Sequence, residues 1–114
     1  MSDERRRRDR ATIRAAVIAR RITPHGPGDE AHGETTDISM GGFGARLDGQ
    51  YGTGDVVDAD LVLGVKIVRL RALVVGVSGE GLYQRVHCAF SEPPEPVRSA
   101  LAAFLETESP AAAE

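Results

Sequence analysis

Tryptophan is absent from this chain, aromatic residues amount to 4%, and there is one cysteine, Cys88. A single thiol excludes an intramolecular disulfide and fits a reducing compartment. The shortage of aromatics excludes the broad stacking platform that single-stranded nucleic acid requires. No apolar run approaches the length of a membrane span. The stretch from Ile13 to Ile22 is interrupted by Arg14, Arg20 and Arg21, so it reads neither as a membrane-inserting segment nor as a twin-arginine export signal. The expected location is the cytoplasm.

Catalytic and metal-binding patterns are also missing. His25, His32 and His87 are scattered over a loop and a strand without zinc-like spacing, and His87 reads as a surface strand residue. Asp55, Asp58 and Asp60 read as a solvated strand face rather than a divalent-cation site. Ser78 fails the nucleophile-elbow pattern at its last position. The Gly26–Ala31 segment matches a dinucleotide fingerprint by letters, but no helix follows and two acids would repel a pyrophosphate. Cys88 alternates with core residues and reads as buried and inert. Nothing assembles a nucleophile, a base and an oxyanion donor, so the chain is not expected to be an enzyme or to hold a cofactor or metal.

What the chain does have is an uneven charge. Its net charge is −3 over 114 residues, yet Arg5, Arg6, Arg7, Arg8, Arg10, Arg14, Arg20 and Arg21 all fall near the start. Only Asp3, Glu4 and Asp9 oppose them there, so a basic arm precedes an acidic body. That distribution suits capture of an anionic ligand by the arm. It disfavours a broad DNA or RNA surface, which would need a basic face.

The length predicts one domain. Residues 1–11 have almost no apolar content and read as a flexible arm. From residue 12 to 91 the dominant period is two, with glycine-containing turns between short strands. Ile13, Ala15, Val17 and Ala19 define the inner face of a first strand. Thr23–Gly33, with two prolines and three glycines, reads as a loop. A short second strand over Glu34–Ser39 is followed by a Met40-Gly41-Gly42 turn and a third strand led by Phe43, Ala45 and Leu47. Val57, Ala59, Leu61 and Leu63 line a fourth strand, and Val68, Leu70, Ala72 and Val74 a fifth. Leu82, Val86, Cys88 and Phe90 share one side of a sixth. Six short antiparallel strands predict a small closed β-barrel, mainly β in class. In the segment 92–106 the period changes: Val97, Ala100, Leu101, Phe104 and Leu105 fall on one helical face that would cover an open end of the barrel. Residues 107–114 read as a disordered tail, low in complexity from Ser109 onward.

Two segments remain, and they carry the chemistry. Guanidinium forks suit phosphate oxygens because their fixed N–H geometry meets two acceptors at once. Asp37-Ile38-Ser39-Met40-Gly41-Gly42 puts a carboxylate, a hydroxyl and two glycines on one turn. Asp37 and Ser39, two apart on a strand, should leave on the same face. A carboxylate accepts from adjacent N–H donors such as the N1 and N2 edge of guanine. The plain alternatives are an ordinary hairpin turn and a solvated basic tail.

Together these residues resemble the PilZ family, receptors for the bacterial second messenger cyclic di-GMP. That family's motif is RxxxR, then a spacer long enough for a strand and a loop, then (D/N)xSxxG. Arg6 and Arg10 fit the first half, and Asp37, Ser39 and Gly42 the second. The register Arg10 and Arg14 also has the right spacing, but Arg14 falls inside the first strand. The resemblance implies that Asp37 holds guanine, that Ser39 bonds a phosphate oxygen or base edge, and that Gly42 leaves room for the ligand. Arg5, Arg7 and Gly41 are possible assistants. It further implies a six-stranded PilZ-like barrel with a C-terminal helix. The nucleotide-bound receptor would signal to an unidentified downstream protein in motility, exopolysaccharide or adhesion control. The alternative is a ligand-independent PilZ-like interaction module.

Overall fold

The computed structural model describes residues 13–79 and 81–108. Arg5, Arg6, Arg7 and Arg10, with the rest of the arginine-rich arm, lie outside the described residues, as do residues 109–114. Among the described residues, six strands and one helix follow in order: β1 (Ala16–Thr23), β2 (Gly26–Ile38), β3 (Gly42–Leu47), β4 (Val56–Leu63), β5 (Lys66–Ser78), β6 (Gln84–Phe90) and α1 (Glu95–Glu108). The strands close into an antiparallel barrel in the order β1-β2-β3-β6-β5-β4. Closure leaves no strand edge to recruit another chain.

The period-two pattern becomes the barrel wall. Val17, Ala19, Ile38, Phe43, Ala45, Leu47, Val57, Ala59, Leu61, Leu70, Ala72, Val74 and Val86 all point inward and are buried. Alanine recurs at these inward positions, as a narrow barrel requires if its lumen is to be filled without voids. Leu101 of α1 is fully buried against this core, and Val97, Ala100, Phe104 and Leu105 flank it. The amides of Val97 and Arg98 donate to the carbonyl of Pro94, which fixes the start of the helix just after the proline pair.

Three expectations are corrected. Thr23–Gly33 is not a loop: β2 begins at Gly26, and the turn is confined to Pro24-His25. Gly26 takes a φ of 110°, which closes that two-residue turn, and the chain returns at once along β1. The ladder to β3 starts only at Gly33, so Pro27 pairs with β1 alone and its missing N–H breaks no second ladder. Leu82 is 84% exposed and precedes β6; the inward position nearest it belongs to Gln84. That buried amide accepts from the Tyr51 N–H at 2.7 Å and donates to the Tyr51 carbonyl at 3.0 Å, tying the β3–β4 connection into the core.

The third correction concerns the aspartates, which are paired rather than solvated. Arg69 grips Asp60 through two hydrogen bonds of 2.7 and 3.1 Å, and Arg20 bridges Asp60 to Glu30. Arg71 holds Asp58 in the same two-point manner, and Arg21 holds Asp55. Cross-strand register causes this: Asp58 faces Arg71, and Asp60 faces Arg69.

The Arg69 hydrogen bonds, and then those of Arg20, hold the Asp60 carboxyl below its usual range against the opposing effect of burial. A depressed carboxylate stabilises the fold above its unfolded pKa of about 4 and loses that contribution as pH falls through the lower folded value. Asp60→Asn should therefore cost about 1–2 kcal/mol near neutrality, since it weakens a network rather than an isolated exposed pair. The deficit should shrink below about pH 4. Denaturant unfolding of both proteins at pH 7 and pH 3 checks this.

Candidate ligand-binding site

Thr35 is 1% exposed on β2 and faces the barrel interior near the point where the described chain begins. Its hydroxyl donates to the Ile13 carbonyl and accepts from the Ala15 N–H at 2.8 Å. Its own N–H donates to the Ala15 carbonyl, also at 2.8 Å. A β-branched residue suits a strand, and only threonine adds a hydroxyl able to bond both neighbours in this way. The segment entering β1 is thus clasped to β2 two residues before Asp37.

The next residue, Thr36, is extra. The β2–β3 register runs Thr35 opposite Ala45, then Asp37 opposite Gly44, so Thr36 forms a bulge. Bulges re-aim the side chains that follow. Asp37 emerges on the outer face, where its Oδ1 accepts from the Gly44 N–H at 2.8 Å. Ser39 behaves differently from the expectation of a shared strand face. β2 ends at Ile38, and the Ser39 hydroxyl turns onto its own turn, accepting from the Gly41 N–H at 3.2 Å and donating to the Gly42 carbonyl at 3.4 Å. The Ser39 N–H also donates to that carbonyl, at 2.9 Å. Asp37 and Ser39 therefore brace the two sides of one tight connection.

The glycines divide by role. A Cβ on Gly42 would stand 2.0 Å from the Cys88 carbonyl oxygen, so glycine is demanded by the close approach of β6. At Gly41 a Cβ would meet only the Ser39 hydroxyl, at 3.9 Å, and the surface there is open. Gly44 stands outside the motif, and nothing in the sequence marks it. A Cβ there would lie 2.9 Å from both Asp37 Oδ1 and Thr36 Oγ1, and 3.3 Å from His87 Nδ1. Three polar groups from β2 and β6 thus converge over a bare backbone on β3.

Arg46 and Arg85 stand directly opposite each other on β3 and β6, one row further along the same face. Arg46 lies 5.5 Å over the Tyr83 ring. Arg14, exposed, marks the entry to the clasped segment. Cys88 points inward, and burial pushes its thiol up to about 12, which leaves it un-ionised and unreactive. Among the described residues no group of histidines, cysteines and carboxylates could hold a metal ion. No described helix is long and apolar enough to cross a membrane.

Because Asp37 serves the Gly44 amide, its removal has a structural cost. Asp37→Ala should lower unfolding free energy by about 1–3 kcal/mol, the penalty for orphaning a largely buried N–H. Asp37→Asn, which keeps an acceptor oxygen, should lose less than half of that in the same urea titration.

A comparison of the sequence with curated proteins gives no match. The fold is similar to the PilZ domain of YcgR from Escherichia coli, solved with c-di-GMP: the TM-score is 0.69 at 14% identity, covering 87% of each chain. It is also similar to the PilZ domain of CeSA from a cellulose-synthesizing bacterium, with a TM-score of 0.61, 19% identity, and coverage of 86% of this chain and 95% of that one. MrkH of K. pneumonia gives 0.69 at 16% identity; the match covers 87% of this chain but 47% of MrkH. The PilZ domain family model matches residues 4–107, which takes in the arginine run, all six strands and nearly all of α1. With the motif turn and the closed barrel in place, the chain belongs to the PilZ domain family.

Proposed function

We propose that this chain is a cyclic di-GMP receptor that binds the nucleotide between its arginine run and the Asp37–Gly42 turn, with no chemistry performed on it. The observation that carries this reading is the Thr35 clasp. It holds Ile13 and Ala15 against the strand that presents Asp37. Arg10 precedes Ile13 by three residues, a stretch of at most about 11 Å even when fully extended. A stretch of that length can bring Arg10 to the Asp37 side of the barrel, and Arg6 stands four residues earlier in the sequence.

The division of labour follows from chemistry. Arg6 and Arg10 neutralise phosphate oxygens, with Arg5 and Arg7 beside them. Asp37 accepts from the N1 and N2 donors of guanine, while the Gly44 amide keeps the carboxylate in place. Ser39 and Gly42 shape the turn, and Gly41 gives the ligand an uncovered surface. The fold neighbours support the ligand class: the YcgR domain was solved with c-di-GMP, and MrkH is described as a c-di-GMP-dependent transcription regulatory factor. Output passes to a protein partner, in motility, exopolysaccharide or adhesion control. The acidic body disfavours DNA or RNA as the target, and the cytoplasm is the compartment where such a ligand is met.

Calorimetric titration should show cyclic di-GMP binding far more tightly than GMP or cyclic di-AMP. Adenine presents an acceptor at N1, where Asp37 requires a donor. Arg6→Ala and Arg10→Ala should each weaken binding about 10- to 100-fold, the equivalent of one charge-assisted hydrogen bond. Arg14→Ala should have a smaller effect. Equal affinity for the two cyclic dinucleotides would remove Asp37 from its role, and a critical Arg14 with a dispensable Arg6 would move the arginine pair by four residues.

A further inference from the structure

Four residues stand in one cross-strand row on the outside of the barrel: Asp37 on β2, Gly44 on β3, His87 on β6 and Gly76 on β5. Two of the four have no side chain, and His87, which stands between them, is exposed. The His87 ring spans the gap between the glycines. Its Nδ1 lies 3.3 Å from where a Gly44 Cβ would stand, and its Cδ2 lies 4.0 Å from the same point on Gly76. A second bulge falls on β5 between Val74 and Gly76, at the other end of the row from the one at Thr36. On the floor, Thr36 Oγ1 is shielded from solvent and has no hydrogen-bond partner among the described residues. A natural barrel seldom leaves such a hydroxyl orphaned.

From this row we infer that His87 is a specificity residue for the purine, donating a hydrogen bond to guanine O6 while Asp37 accepts from N1–H. The inference rests on the receptor reading above and extends it to a strand that the sequence motif does not include. Geometry selects O6. The carboxylate oxygen and the imidazole nitrogen lean over the same glycine from opposite sides, at 2.9 and 3.3 Å from one point. They are therefore close enough to meet adjacent atoms of one ring edge, and too close to span a purine. The neighbour of guanine N1 that accepts is O6, and imidazole is a donor through either ring nitrogen, according to tautomer. Adenine reverses both positions, with an acceptor at N1 and an amino donor at C6. The Asp37–His87 pair therefore meets the guanine edge and mismatches adenine at two atoms. A buried donor or acceptor left unmatched discriminates more strongly than a missing apolar contact.

The test is calorimetry with cyclic di-GMP and cyclic di-AMP on the intact chain and on His87→Ala and His87→Gln. His87 is exposed, so both variants should fold, and circular dichroism checks it. The assignment predicts that His87→Ala weakens cyclic di-GMP about 3- to 10-fold, the equivalent of one neutral hydrogen bond. Any affinity for cyclic di-AMP should stay the same or rise. His87→Gln, whose amide can donate to the same oxygen, should recover most of the loss. Undiminished cyclic di-GMP binding by His87→Ala overturns the assignment and leaves the receptor reading standing. An equal loss for both dinucleotides also overturns it, because the contact would then be to the shared phosphodiester. Failure of the unmodified chain to bind cyclic di-GMP overturns both readings together.

Discussion

The pairing of the arginine run with the motif turn depends on one hydroxyl. Thr35 joins the segment that leads out of the arginine run to the strand that carries Asp37, through one donated and one accepted hydrogen bond and a backbone bond beside them. The hydroxyl is buried, so water offers no substitute, and losing it would orphan an N–H and a carbonyl together. Without the clasp, the arginines and the carboxylate would belong to independent segments. The entropy of bringing them together would then be charged to every binding event. With it, the part of that cost that falls on Ile13 and Ala15 is met once, on folding.

The two outer faces of the barrel put their polar groups to different uses. Across β1, β4 and β5, carboxylates and guanidiniums satisfy each other in register: Asp60 with Arg69 and Arg20, Asp58 with Arg71, Asp55 with Arg21. Across β2, β3 and β6, the same strand geometry places glycine where a partner side chain would otherwise stand. Gly42 lets β6 approach, and Gly44 leaves room for the Asp37 carboxylate, the Thr36 hydroxyl and the His87 ring. The first arrangement pairs charge with charge across the strands, whereas the second sets polar groups of three strands around one glycine. Bulges at Thr36 and near Val75 reinforce the difference by bending β2 and β5 on either side of the notch.

The barrel was legible because its signal is physical and repeated: inward residues alternate through β1, β3, β4 and β5 with few exceptions. The helix was legible from its change of period. What escaped detection had weaker signals. The strand hidden in Gly26–Gly33 has proline and glycine, the usual loop residues, and becomes a strand because the two-residue turn at Pro24-His25 delivers it onto β1. Gln84 is polar, and what permits its burial is the Tyr51 backbone, far away in sequence. The motif turn was legible from residue types, but the roles of Thr35, Thr36, Gly44 and His87 depend on register and bulges, which a local pattern does not encode. The ion pairs fall between: Asp58 and Asp60 alternate as Arg69 and Arg71 do, yet only the β4–β5 register shows that the two series meet.

The clasp itself can be tested without touching any group assigned to the ligand. Thr35→Val keeps the shape and the β-branch and removes only the hydroxyl; Thr35→Ser keeps the hydroxyl. Cyclic di-GMP titrations should be run on both, under conditions where denaturant melts show each to be folded. The account predicts that Thr35→Val binds at least about 10-fold more weakly, since more than one hydrogen bond tethers the segment, while Thr35→Ser stays within a few-fold of the unmodified chain. A folded Thr35→Val protein that binds cyclic di-GMP as tightly as the unmodified chain would contradict it, because the arginines would then reach the turn without the tether.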